Sequence, residues 1–266
     1  MPESFRRAEN DVRQHISAAH RSSWTAEAAL EILWAGTAPF TEFHRSQAVR
    51  SEHVPSICWL WWWTESSGES LGMLVRALRY HSSSDGLRSV HVGAAERESL
   101  TSLFEIGAKY HIPVVYLIFG AIDAELSSSV TSVIPALELR RYVQMDAVPA
   151  TEHVAARAVP LADVVADDGS TLLTRQIAER LLAASIEGGD VARSRSLDEW
   201  RRHRPDSRLP GVPVNRVGDF GISYERHFFQ GLRSKLPRYV EERRVELSAA
   251  VGGIAITRTG AIWERV

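Results

Sequence analysis

The residues that could do chemistry are few and oddly distributed. Of 31 basic residues only Lys109 and Lys235 are lysine, so 31 less 2 leaves 29 arginines, and any reaction that needs a lysine has two candidates. Cys58 is the only cysteine. It sits beside the aromatic run Trp59, Trp61, Trp62 and Trp63 with no local nucleophile signature around it, which reads as a small buried apolar group. The same tryptophans could stack on nucleic-acid bases, but four in one apolar strand read as core, with Trp59, Trp61 and Trp63 on one face and Trp62 on the other.

Phosphate-contacting candidates lie in the second half. Between residues 193 and 208, Arg193, Arg195, Arg201, Arg202, Arg204 and Arg208 outnumber Asp198, Glu199 and Asp206 by three charges. Such a stretch fits either a phosphate-binding segment or a solvated, self-compensating loop. His81, His91 and His111 stand near predicted strand or helix ends, with no spacing that joins them to carboxylates as metal ligands. The triplet Asp219–Phe220–Gly221 imitates a kinase motif without a glycine-rich phosphate loop or a catalytic loop, and is chance.

The elements that must position these groups form an α/β pattern. Helices are expected over Phe5 to His20 and Thr25 to Trp34, the second with Thr25 as N-cap and Gly36 as its stop. Val54 to Trp63 (VPSICWLWWW) reads as a strand covered on both faces, TESSGES as a turn, and Leu71 to Leu78 as the hairpin partner. A third strand at Arg88 to Val92, a helix at Glu96 to Tyr110 and a strand opening after Pro113 complete the order strand, strand, strand, helix, strand. A strand, a crossover helix and a further strand imply parallel pairing inside a mixed sheet.

Further on, strands are expected at Ala136 to Met145 and Val154 to Val159, and an amphipathic helix at Thr171 to Ile186 before Gly188 and Gly189. A loop with a short helix at Leu197 to Arg202, helices at Glu225 to Leu236 and Arg238 to Leu247, and a closing hairpin from Ile254 to Trp263 follow.

The first two strands also carry a resemblance. EHVPSICWLWWW followed by VRALRY resembles a degenerate version of the PD-(D/E)xK, or restriction-endonuclease-like, nuclease motif. Bacterial proteins of that class linked to defence and mobile DNA often read Glu-x-x-x-Gly-Ala-Asp-Trp, an aromatic strand, then Val-Gln-Ala-Lys-Arg. In that family two carboxylates hold Mg²⁺ beside a lysine that helps to position the attacking water.

Carried across by position, Glu52 keeps the upstream acid and would be the metal ligand of an active enzyme. Cys58 stands at the metal-binding Asp, Arg76 at the Gln/Glu position and Leu78 at the Lys position, with Arg79 able to supply charge nearby. The resemblance implies a mixed sheet flanked by helices in one domain over residues 1–266, with a nuclease-like core at about 20–120 and a C-terminal helical and hairpin extension from about 121 to 266.

A soft thiol, a guanidinium and a leucine do not serve Mg²⁺-dependent hydrolysis. The expected function is therefore nucleic-acid or protein binding without cleavage and without a cofactor, with DNA or RNA phosphates contacted by Arg76, Arg79, Arg201, Arg202 and Arg204. Two alternatives stay open. One is an active Mg²⁺-dependent nuclease with ligands relocated to Glu52, Glu69, Glu96 or Glu98; the other is a scaffold kept only for structure or interaction.

Composition narrows the setting. Apolar residues make up 44% and charged residues 24%, an ordinary globular mixture, and no run approaches the roughly 18 apolar residues of a membrane span. A charged N-terminal stretch predicts a cytoplasmic protein with no membrane partner. One cysteine excludes an intramolecular disulfide and a multi-cysteine zinc site. A net charge of −2 argues against a generally basic nucleic-acid-binding surface but not against a local patch.

Overall fold

Strand β2 (Cys58–Thr64) is buried at every position, as a run of aromatic and apolar side chains on both alternating faces requires. The computed structural model describes residues 1–18, 24–45, 58–82, 88–90, 94–120, 130–138, 158–186, 216–217, 222–242 and 251–259. On one face of β2, Trp61 and Trp63 meet Phe5 of helix α1 (Pro2–Ala18) at ring distances of 6.2 and 5.5 Å. Trp34 of helix α2 (Ala26–Gly36) stands edge-on to Trp59 at 5.1 Å, and Phe43 of strand β1 (Thr41–Arg45) lies 4.7 Å from the same ring. These contacts make one aromatic cluster in which the Trp61 indole N–H donates to Thr257 Oγ1 at 2.8 Å.

The two N-terminal helices cover that cluster because each reads correctly at its own ends. Thr25 caps α2, its hydroxyl accepting from the Ala28 N–H at 3.1 Å. Gly36 closes the helix where α1 crosses it; a Cβ there would stand 2.6 Å from the Ala8 Cβ, so only glycine permits the approach.

Strand β3 (Ser70–Ser82) returns antiparallel to β2 through the turn at residues 65–69, with Trp62 facing Gly72 across the pair. Any side chain at 72 would enter the Trp62 ring, whose atoms come within 2.5 Å of an added Cβ. Strand β4 (Arg88–Val90) pairs with β3, helix α3 (Ala94–Tyr110) crosses over, and β5 (Val114–Phe119) runs parallel to β3. The expected hairpin, crossover helix and parallel strand are all present.

The rest of the sheet comes from further along the chain. β6 (Thr131–Pro135) and β7 (Val159–Pro160) extend it beyond β5, and β10 (Leu232–Arg233) adds to β3. Strand β11 (Val251–Arg258) inserts between β1 and β2, antiparallel to the first and parallel to the second. The path is β1-β11-β2-β3-β5-β6-β7. The fold class is α/β, a mixed sheet flanked by helices. A separate two-stranded sheet joins β8 (Arg216–Val217) and β9 (Ile222–Ser223). No helix of the described residues is long and apolar enough to cross a membrane.

Several expected elements differ. Of the strand placed at Ala136 to Met145, residues 136–138 are helical and 139–145 lie outside the described residues; strand β6 precedes it, and its register with β5 ends at Pro135. The helix placed over Glu225 to Leu236 is α6 (Tyr224–Phe229) followed by β10. Gly231 ends it because its backbone packs on Gly72, whose N–H donates to the Gly231 carbonyl at 3.0 Å. Of the hairpin expected from Ile254 to Trp263, the stretch Ile254 to Arg258 belongs to β11 and pairs with β1 and β2, and residues 260–263 lie outside the described residues. Of the strand expected at Val154 to Val159, Val159 opens β7, and residues 154–157 lie outside the described residues. Short helices α4 (Leu161–Val164) and α7 (Arg238–Glu241) and helix α5 (Leu173–Ile186) complete the described residues. The short helix expected at Leu197 to Arg202 lies outside them.

Candidate functional site at the two ends of the hairpin

The register of the hairpin places Cys58 directly opposite Arg76. Leu78, two residues on, projects from the same face of β3 as Arg76. The three positions singled out by the motif are therefore neighbours. They are also interior: Cys58 is 0% exposed, Arg76 3% and Leu78 6%. Burial pushes the Cys58 thiol up to about 12, against a smaller downward pull from the Arg76 guanidinium, so the sulfur is a neutral thiol at physiological pH.

Mg²⁺ does not fit this set. It takes hard oxygen ligands in near-octahedral geometry, whereas a cysteine sulfur is a soft ligand, a guanidinium has no acceptor, and leucine has neither charge nor lone pair. The buried Arg76 also corrects one expectation, because a guanidinium 3% exposed does not meet an approaching phosphate from solvent.

The remaining predicted residues are scattered. Arg79 is turned back onto the lead into α2: its Nη1 donates to the Trp24 carbonyl at 3.0 Å, and its guanidinium lies 4.4 Å over the Trp24 ring. Glu52, Arg201, Arg202 and Arg204 lie outside the described residues, as does His91. Glu96 and Glu98 stand near the start of α3. His111 has φ of 53° just past the end of α3, where the Ile112 N–H donates to the Gly107 carbonyl at 2.9 Å; it is a helix-terminating residue. The four tryptophans of β2 are core, each no more than 6% exposed.

Glu69 does not converge on Cys58. It lies at the other end of the hairpin, about 20 Å away for a six-residue span at 3.3 Å per residue. There it forms, with Glu65, a clasp on the start of α5. Glu65 accepts from the Thr174 N–H at 2.9 Å and from the Thr259 hydroxyl. Glu69 accepts from the Thr174 hydroxyl at 3.1 Å and from Arg175 through Nε at 2.9 Å and Nη2 at 2.6 Å. The hydrogen bonds from Arg175 hold the Glu69 carboxyl below its usual range, against a smaller opposing effect of burial.

Glu65 thus does for α5 what an N-cap does locally, satisfying an N–H at the positive end of the helix from 109 residues away. This clasp escapes sequence reading. Its only local signal is two glutamates in a turn and a Thr-Arg pair opening a helix, which is how solvated turns and helix starts also look.

One buried titratable group lies apart from both ends. His227 of α6 sits among Phe104, 6.4 Å away, and Phe228, and burial lowers it to about 4, so it is neutral in the folded protein.

No family model, curated protein or solved structure matches this chain.

Proposed function

We propose that the protein is a non-hydrolytic, nuclease-like scaffold that binds nucleic acid through its arginine-rich stretch at residues 193–208. The observation that carries this reading is the juxtaposition of Cys58 and Arg76 with Leu78 on the same face, where the resembled motif needs an acid and an acid-x-lysine pair. The hairpin, crossover helix and parallel strand around it have the order that the resemblance implies. Because Arg76 is buried and Arg79 is engaged with Trp24, phosphate contact falls to Arg201, Arg202 and Arg204.

Two measurements test the proposal. The full chain incubated with single- and double-stranded DNA and RNA, in Mg²⁺ and in Mn²⁺, leaves all four intact; cleavage that disappears in Glu52→Ala overturns the non-hydrolytic reading. Fluorescence anisotropy detects salt-dependent binding, and Arg201→Ala, Arg202→Ala and Arg204→Ala combined weaken it and reduce the salt slope by about one per phosphate contact removed. Binding that is absent, or indifferent to both salt and the triple substitution, favours a protein partner or a purely structural role.

A further inference from the structure

We infer that the cleft at the carboxyl ends of β2 and β11 is a binding site for a small zwitterion of the aliphatic amino-acid class. The inference does not rest on the nuclease-like reading, since the cleft lies at the opposite end of β2 from Cys58.

The position comes from topology. β2 and β11 run parallel, with Thr64 beside Arg258, and ligands of open α/β sheets gather in the crevice beyond the carboxyl ends of parallel strands. The space is about 460 Å³, within the range that holds a small molecule. Its floor is apolar, formed by the buried Ile256 and Leu236.

The charges around that floor sort into spent and available groups. Arg258 is 3.5 Å from Glu42, and Glu65 is engaged by Thr174 and Thr259. The side chains of Lys235 and Glu241, both exposed and both lining the cleft, form no hydrogen bond or ion pair with the described residues. Among the described residues, one unspent cation and one unspent anion beside an apolar floor match a molecule with a carboxylate, an ammonium and a short hydrocarbon side chain.

The cation is also one of two lysines in a chain that otherwise uses arginine. An ammonium is a compact point charge that suits one carboxylate oxygen, where a guanidinium would demand a planar, bidentate partner. Glu65 keeps acceptor capacity toward a bound ammonium, since a carboxylate offers about four lone-pair sites.

Isothermal titration calorimetry of the full chain with L-leucine, L-valine, glycine, acetate and propylamine tests the site. Leucine or valine binds saturably, glycine binds more weakly for want of a side chain, and acetate and propylamine alone do not bind. Lys235→Met and Glu241→Gln each weaken binding about tenfold, the loss expected for one charge-assisted contact. Both residues are exposed, so circular dichroism of the variants stays unchanged. The inference is overturned if neither leucine nor valine binds, if binding ignores both substitutions, or if acetate or propylamine binds as well as the amino acids.

Discussion

The two ends of the β2–β3 hairpin use ionisable residues in opposite ways. At one end a neutral thiol and a guanidinium face each other across the strands in the interior, with a leucine on the same face. At the other, two carboxylates hold the start of α5 and an arginine from it through hydrogen bonds that cross more than a hundred residues of sequence. Glu65 and Glu69 satisfy a helix terminus, whereas the facing positions at the other end, Cys58 and Arg76, hold no acid. A glutamate in this hairpin is therefore evidence of architecture before it is evidence of catalysis.

The sharpest way to break this contrast is to place an acid at the buried end. Arg76→Glu places a carboxylate in an interior that accommodates a cation, and a loss of about 3–5 kcal/mol is expected from urea unfolding. Mg²⁺ does not restore the lost stability. Restoration by Mg²⁺ would mean that the Cys58 end is a latent metal site after all.

Acid titration separates the ends from the rest of the core. His227 has a folded-state value depressed from 6.5 to about 4, so its contribution is fully present above 6.5 and is lost as pH falls through about 4. The full loss is about 3 kcal/mol, from 1.36 kcal/mol per unit. His227→Phe flattens the stability profile between those limits, and a variant as acid-sensitive as the parent there would assign the loss to other groups.

In that background the clasp becomes visible. Glu69 is also depressed, so the stability it contributes is present above the ordinary carboxylate value of 4.5 and is lost as pH falls below it. Glu65→Gln with Glu69→Gln lowers stability at neutral pH by about 2 kcal/mol, discounted because the Arg175 side chain is half exposed. The difference from the parent closes in acid. Equal stability of the two chains at neutral pH would demote the clasp to a surface contact.

The smallest effect belongs to the thiol. Cys58→Ala removes one buried sulfur and costs about 1 kcal/mol, with no dependence on pH between about 5 and 7, below the ordinary thiol value of 9.0 at which the unfolded chain begins to ionise. In the folded parent the thiol also fails to react with a disulfide reagent at pH 8. Rapid reaction would show a reactive thiolate and reopen a catalytic reading of Cys58.

What was legible in the sequence was local. Thr25 announces its helix because the cap and the first turn lie within three residues of each other. The hairpin from Cys58 to Ser82 is legible because a turn-rich TESSGES joins two runs of strand character, and its register brings Cys58 to Arg76. The crossover helix and β5 follow from the same short-range signals. β1 and β6 escaped, each being only five residues long.

The arrangements that stayed hidden share a long sequence separation. β11 has ordinary strand character, but nothing near residue 251 says that it will lie parallel to β2, nearly two hundred residues earlier. Glu65 has no sequence neighbour that marks it as the cap of α5, and Lys235 and Glu241 meet the hairpin tip only because β10 pairs with β3. Residue type and spacing specify which segments become helices and strands, because those preferences act over a few residues. Which carboxylate is spent, which cation stays open and which cysteine is sealed from solvent depend on burial and on partners that arrive only when the sheet closes.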